Sequence, residues 1–241
     1  MNSSPLEHFP QDWRRALAVV AHPDDVEYGL AAAVAGFTAQ GKQVAYLLAS
    51  RGEAGIDDLP PEQTGPQREA EQRAAAAVVG VEHVDFLDYP DGTIMYSLAL
   101  RRDIAAAIRR YRPELVLTLN HHDHWPTGGW NMADHRAVGV AAIDAARDAG
   151  NRWIFPELAD QGLLAWGGVT MVAIGGSPHA THAVDVTDTF QTGMASLAEH
   201  RGYLAALGAD SDPMPMLRDM AQHAGQRLGT DLAAAFEIVH L

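Results

Sequence analysis

The chain has 241 residues, 31 acidic side chains against 17 basic ones, a formal charge of −14, and no cysteine. That length suits one large α/β domain, and a hydrophobic fraction of 47% supplies a real core and excludes a disordered chain. The acidic balance works against nucleic acid and anionic membranes, and the lack of thiols excludes disulfides and cysteine zinc sites, so any metal falls to carboxylates and the 12 histidines. The N-terminal stretch MNSSPLEHFPQDWRR has no apolar segment of the signal-peptide kind, and the longest apolar run, residues 28–37, is too short for a bilayer. A cytoplasmic protein with neither nucleic-acid nor membrane partners is expected.

Strand-like and helix-like segments alternate along the chain. Residues 16–21 (ALAVVA) read as a buried parallel strand, and residues 25–40 as a helix stopped by Gly41. Residues 43–49 (QVAYLLA) form the next strand, 66–79 a helix ended by Gly80, and 84–87 a third strand. A helix over 97–111 ends before Pro113, followed by a strand over 115–119 (LVLTL), a helix over 133–149 closed by Gly150, and a strand over 169–174. Beyond residue 181 the pattern changes: 187–207 and 212–228 read as helices and 236–240 as a terminal strand. The alternation implies right-handed crossovers and a Rossmann-like domain with a mainly parallel sheet flanked by helices. The expected organisation is one domain over 1–241, with a core at 14–176 and a C-terminal helical and strand elaboration at 177–241.

Such sheets bind ligands beyond the carboxyl ends of their strands. There the first strand delivers His22-Pro23-Asp24-Asp25, the second Ser50-Arg51-Gly52-Glu53, and the third Asp88-Tyr89-Pro90-Asp91-Gly92. The fourth delivers Asn120 to His124 and, after a loop, Asp134-His135. The first turn lacks the G-x-G-x-x-G of a dinucleotide site and is acidic where a pyrophosphate would sit. It suits a cation instead. His22 at the strand end and Asp25 at the helix start converge on one point, and His135 opens a later helix on the same rim. Two histidines and one aspartate leave an open position on a single zinc ion, as a catalytic site requires. Asp24 is then free to take a proton from a zinc-activated water, whose pKa falls to about 7.

AHPDDVE at 21–27, RGEAG at 51–55, RxxE at 68–71, FLDYPDG at 86–92, RPELVLT at 112–118 and ADHRAVG at 133–139 occur in order. In these blocks the chain resembles the PIG-L/LmbE family of zinc-dependent N-deacetylases. The resemblance implies one zinc ion per chain, held by His22, Asp25 and His135, with Asp24 as general base. It places Glu53, Arg68 and Asp91 where family members contact the sugar, with Arg51 beside them as a further substrate contact. The implied activity is hydrolysis of an N-acyl, above all N-acetyl, group on an amino sugar or small glycoconjugate; self-association is left open. Met132 stands where many members have a histidine that helps to stabilise the oxyanion, and Ala31-Ala32 stand where many have a glycine pair. His200, in a late helix packed over the site, is the first substitute for that donor, ahead of His121, His122 and His124. Trp125 and Trp130 form either a stacking wall for a ligand or packing for their own loop. Two rivals share the residues: a non-haem iron oxygenase, which uses the same two-histidine, one-carboxylate set, and a non-catalytic sugar- or metal-binding protein.

Overall fold

The computed structural model describes residues 4–208 and 212–241; the expectations touching residues 1–3 and 209–211 lie outside them. In chain order the elements are β1 (Glu7–His8), β2 (Arg15–Val20), α1 (Asp25–Gly29), α2 (Ala31–Ala39), β3 (Gln43–Leu48), α3 (Pro61–Val78), β4 (His83–Phe86), α4 (Leu98–Tyr111) and β5 (Leu115–Leu119). There follow α5 (Ala133–Gly150), α6 (Glu157–Asp160), β6 (Met171–Gly175), β7 (His182–Asp185), α7 (Phe190–Leu197), α8 (Arg201–Ala206), α9 (Met214–Leu228) and β8 (Ala233–His240). The strands form one sheet in the order β1-β7-β8-β6-β5-β2-β3-β4. All neighbours pair in parallel except β8, which runs antiparallel to both β6 and β7.

Alternation along β2 divides the core. Ala16, Ala18 and Val20 join the apolar layer under α1, α2, α3, α7 and α9, whereas Leu17, Val19 and Ala21 join the layer under α4 and α5. Because β2 pairs with β3 on one side and β5 on the other, the chain reverses its winding between β2 and β5, and the crevice at their carboxyl ends is where such a sheet binds a ligand.

The fold is the expected one, and several elements differ from the sequence reading. The helix over 25–40 is kinked at Leu30 (φ −127°), although N–H bonds from Leu30 to Val26 and from Val34 to Leu30 run through it. Leu30 packs where a Cβ on Gly175 of β6 would stand, so sheet packing sets the kink. The helix expected from residue 66 begins at Pro61: Pro60-Pro61 preset the first turn, and Pro66 sits inside it. Arg68 therefore lies two turns into the helix rather than in its first turn. The helix expected over 187–207 breaks at His200 (ψ 52°), giving α7 and α8. Finally, β1 and β7 were not anticipated, and β8 starts three residues earlier than expected. Residues 177–241 thus supply two strands of the common sheet.

Candidate metal centre and the network behind it

His22 follows β2, Asp25 opens α1, and His135 lies in the first turn of α5. Their donor atoms lie within 4.8 Å of one another, and all three residues are buried. Asp25 Oδ2 accepts the backbone N–H groups of Ala21 and His22 at 2.9 and 2.8 Å, which leaves Oδ1 facing His135 Nε2 at 3.0 Å. His22 Nδ1 is 3.6 Å from Asp25 Oδ2. The far ring nitrogens are occupied. His135 Nδ1 meets Asn131 Oδ1, from the loop just before α5, at 3.1 Å. His22 Nε2 stands 3.1 Å from Asp91 Oδ1 and 3.2 Å from Asp134 Oδ2. Asp134 is fixed in turn by the N–H groups of Gly92 and Ile94 at 2.7 and 3.0 Å. One nitrogen oriented by a carboxylate or amide and the other turned inward is the arrangement of metal-ligating imidazoles. His22, Asp91 and Asp134 also group closely, but the backbone bonds to both aspartates suit them to orienting His22.

The electrostatics agree with a cation site. Burial disfavours charge on His22, yet Asp134, Asp25 and Asp91 raise its pKa to about 12. Burial likewise works against the Asp25 carboxylate, and His135 and His22 overcome it, holding Asp25 well below the usual carboxylate range. The carboxylates call for positive charge at this point, and a divalent cation meets that demand with a fitting donor set.

Asp24 sits between the two ligands of the first turn, with φ 88°. A left-handed backbone costs a residue with a Cβ roughly 1–2 kcal/mol. It is held from α3. Arg68 Nη2 donates to Pro23 O at 2.6 Å and lies 3.3 Å from Asp24 Oδ2, and the Asp24 N–H bonds to Gln72 Oε1 at 2.9 Å. Burial pushes the Asp24 carboxyl up, to about 7, against the pull of Arg68.

The expected substrate contacts form a brace around this centre. Arg51 bonds Glu69 Oε2 at 3.0 Å and also meets Asp88. Glu53 accepts the N–H groups of Arg51 and Asp91. Asp91 accepts the Ala54 N–H while contacting His22. Arg68 is 3% exposed: its guanidinium bonds Gly52 O, lies 4.2 Å over the Tyr203 ring, and passes so close to Gly52 and Gly55 that a Cβ at either would meet Nη1 at 2.2 or 2.3 Å. Arg51, Glu53 and Asp91 stay at the partly open rim; Arg68 is interior. His200 does not lie over the site. The break between α7 and α8 turns its ring inward, where it is fully enclosed with Nε2 3.3 Å from Glu27 Oε2. Of the loop histidines, His122 pairs with Glu237 at 2.8 Å, His121 stacks on His122, and His124 packs edge-on against Trp130. Met132 is exposed at the rim. Trp125 stands edge-on to His135 (5.7 Å between ring centroids), while Trp130 is exposed and carries Arg136 on its face. Trp125 and Tyr28 also line a cavity of about 670 Å³ that continues past Phe190 to Met216 and Met220 of α9.

Sequence reasoning gave no role to Asn131, Asp134, Gln72 or Glu27. Gln72 follows Arg68 by four residues, the spacing of neighbours on a helix face, which is the signal that could have found it.

A buried two-histidine, one-aspartate cluster with a carboxylate beside it lies at the switch point of a doubly wound sheet, and its relatives give the class, an amidohydrolase. The chain belongs to the PIG-L family, whose model, described as GlcNAc-PI de-N-acetylase, matches residues 17–146. It is 28% identical over 204 residues to the diacetylchitobiose deacetylase of Thermococcus kodakarensis, covering 78% of this chain and 70% of that one. It is 31% identical over 186 residues to the 1D-myo-inositol 2-acetamido-2-deoxy-alpha-D-glucopyranoside deacetylase of Kineococcus radiotolerans, covering 60% of this chain and 50% of the relative. The fold matches N,N'-diacetylchitobiose deacetylase from Pyrococcus horikoshii with a TM-score of 0.86 at 23% identity, over 95% of this chain and 85% of that one.

Proposed function

We propose that the protein is a zinc-dependent N-deacetylase that releases acetate from an N-acetylated amino sugar or a small glycoconjugate carrying one. The observation that carries this reading is the convergence of His22, Asp25 and His135 around one point with Asp24 beside them, in a chain whose family model is a de-N-acetylase. The substrates in the two relatives' names both carry an N-acetylated amino sugar, which supports the substrate class. The oxygenase and the non-catalytic binder draw no support from relatives of this kind.

Zinc, when bound, supplies a Lewis acid that polarises the amide carbonyl and acidifies a water. Asp24, with its raised pKa, takes the proton of the attacking water and passes it to the amine nitrogen as the C–N bond breaks. One carboxyl thereby serves as base and then acid, and the products are a free amine and acetate. Arg68 lies against Asp24 and keeps it from binding its proton too tightly. His200 is enclosed behind Glu27 and does not reach the substrate. Arg51, Glu53 and Asp91 present the rim on which the sugar is read. The core and residues 177–241 act as one unit, since Tyr203 of α8 closes over Arg68.

The test is acetate release from a panel of N-acetyl amino sugars, N,N'-diacetylchitobiose and N-acetylglucosaminyl inositol among them, with zinc-loaded protein. Acetate and free amine in equal amounts are expected from at least one. No release from any member, with zinc bound, would refute the reading.

A further inference from the structure

Gln72 lies on α3 one turn beyond Arg68 and is fully buried. Both ends of its amide are used. Oε1 accepts the N–H of Asp24 at 2.9 Å, and Nε2 donates toward the two carboxylate oxygens of Glu27 at 3.1 and 3.3 Å. Since Arg68 Nη2 holds the carbonyl oxygen of Pro23 at 2.6 Å, the Pro23–Asp24 peptide is gripped at its oxygen by Arg68 and at its N–H by Gln72. The two side chains are four residues apart on one helix and meet opposite edges of one peptide plane. That peptide leads into the residue with φ 88°. Aspartate enters this region more readily than most residues with a Cβ, and still at a cost that restraint from its surroundings offsets. The Asp24 N–H precedes the first turn of α1 and has no helical carbonyl to bond, so Gln72 is its partner.

The grip reaches further. Glu27 is buried, accepts from Ser196 Oγ at 3.1 Å, and has the His200 ring 3.3 Å from its other oxygen. A continuous set of contacts therefore runs from α7 and the α7–α8 corner, through Glu27 and Gln72, to the backbone of Asp24. Ser196 also bonds Ala75 O of α3 at 2.8 Å, which ties α7 to the helix that carries Gln72.

We propose that Gln72 is a positioning residue for the reaction: together with Arg68 it fixes the plane of the Pro23–Asp24 peptide and so the left-handed conformation that sets where the Asp24 carboxylate stands. The C-terminal segment enters the chemistry by the same route, through Ser196 and Glu27. The role in turnover rests on Asp24 being the base of the deacetylase reading; the role in backbone geometry does not.

Gln72→Met keeps the length of the side chain and removes both hydrogen bonds. Zinc stoichiometry and KM are expected to stay near wild type while kcat falls, by up to about 10²-fold for a displaced catalytic group. In the Asp24→Asn background the same substitution is expected to cost almost nothing more, because both changes act through one carboxylate. Fully additive losses overturn the proposal, as does an unchanged kcat. A crystal structure of zinc-loaded Gln72→Met reads the backbone without any substrate: residue 24 is expected to leave positive φ, and retention near 88° overturns the proposal even if no deacetylase substrate is found. Should Gln72→Met not fold, Gln72→Glu combined with Glu27→Gln exchanges donor and acceptor across that pair and keeps an acceptor for the Asp24 N–H; the double variant is expected to hold kcat within about tenfold of wild type, and a loss as large as that of Asp24→Asn overturns the proposal.

Discussion

His22, Asp25 and His135 each bring one donor to a common point, and three protein ligands leave no spare. His22→Ala, Asp25→Ala and His135→Ala are each expected to lower zinc content as well as turnover, as measured by elemental analysis of the purified variants; full zinc occupancy in one of them removes that residue from the ligand set. Asp24 behaves differently. Asp24→Asn is expected to retain zinc and fold and to lose turnover on the order of 10²–10⁴-fold, the contribution of a general base. The pH profile carries the same signature. Burial raises the Asp24 pKa to about 7, and a cation at the neighbouring cluster pulls it down from there. Only the deprotonated carboxylate accepts a proton, so kcat/KM rises with pH and levels off once Asp24 is ionised, with its acid limb at or below neutrality. Asp24→Asn removes that limb; a limb that persists belongs to another group.

Among the elements, the contact of α2 with α7 is the most exacting. A Cβ on Gly193 would stand 2.7 Å from the backbone nitrogen of Ala32 and 2.9 Å from its Cα, so the two helices touch through backbone and have no room for a methyl group. Ala31-Ala32, which departs from the family's glycine pair, is accommodated here by a glycine on the opposing helix. Gly193→Ala is expected to destabilise the fold by about 1–3 kcal/mol, the usual cost of overpacking, and to lower the thermal midpoint by several degrees with zinc content unchanged. An unaltered melting curve would mean that α7 shifts freely. That result would also weaken the link from Ser196 to Gln72, since α7 carries Ser196. The elements legible in the sequence were those with a strong period and a stop: β2, β3, β5, α4 and α5. Those that were misjudged depend on partners. Leu30 kinks its helix over Gly175, His200 turns inward to Glu27, and the four-residue β7 is a strand because β8 and β1 pair with it on either side.

The whole molecule concentrates buried acid around one point. Asp24, Asp25 and Asp134 lie buried beside His22 and Arg68, with Asp91 against His22 at the rim, within a chain of formal charge −14. A ligand that binds only the folded state stabilises it by mass action, about 4 kcal/mol when free zinc is a thousandfold above Kd. At roughly 2–4 °C per kcal/mol for a domain of this size, zinc loading is expected to raise the thermal midpoint by ~8–16 °C, and chelation to reverse the gain. Differential scanning calorimetry with and without chelator checks it; equal midpoints would mean that the cluster does not bind zinc in the folded protein. Among the described residues no helix is long and apolar enough to cross a membrane.

The residues that converge on the candidate metal centre were readable from the sequence alone. HPDD follows a buried strand and DH opens a later helix, and the chemistry of a cation site needs those side chains at strand ends whatever the packing. The parallel α/β class was readable for a similar reason, because periodicity is a local property of the chain. Only the tertiary structure decided what holds those residues in place. Arg68 reads from sequence as a sugar contact, and burial under Tyr203 makes it a clamp on the Pro23–Asp24 turn. His200 reads as a donor above the site, and the α7–α8 break puts it behind Glu27. Asp134 is half of the DH pair and Gln72 follows Arg68 by one helical turn, but neither signal distinguishes a positioning residue from a solvated one. Their roles arise from which peptide or ring stands opposite them across the fold, and long-range pairing of that kind is not encoded in any local stretch of sequence.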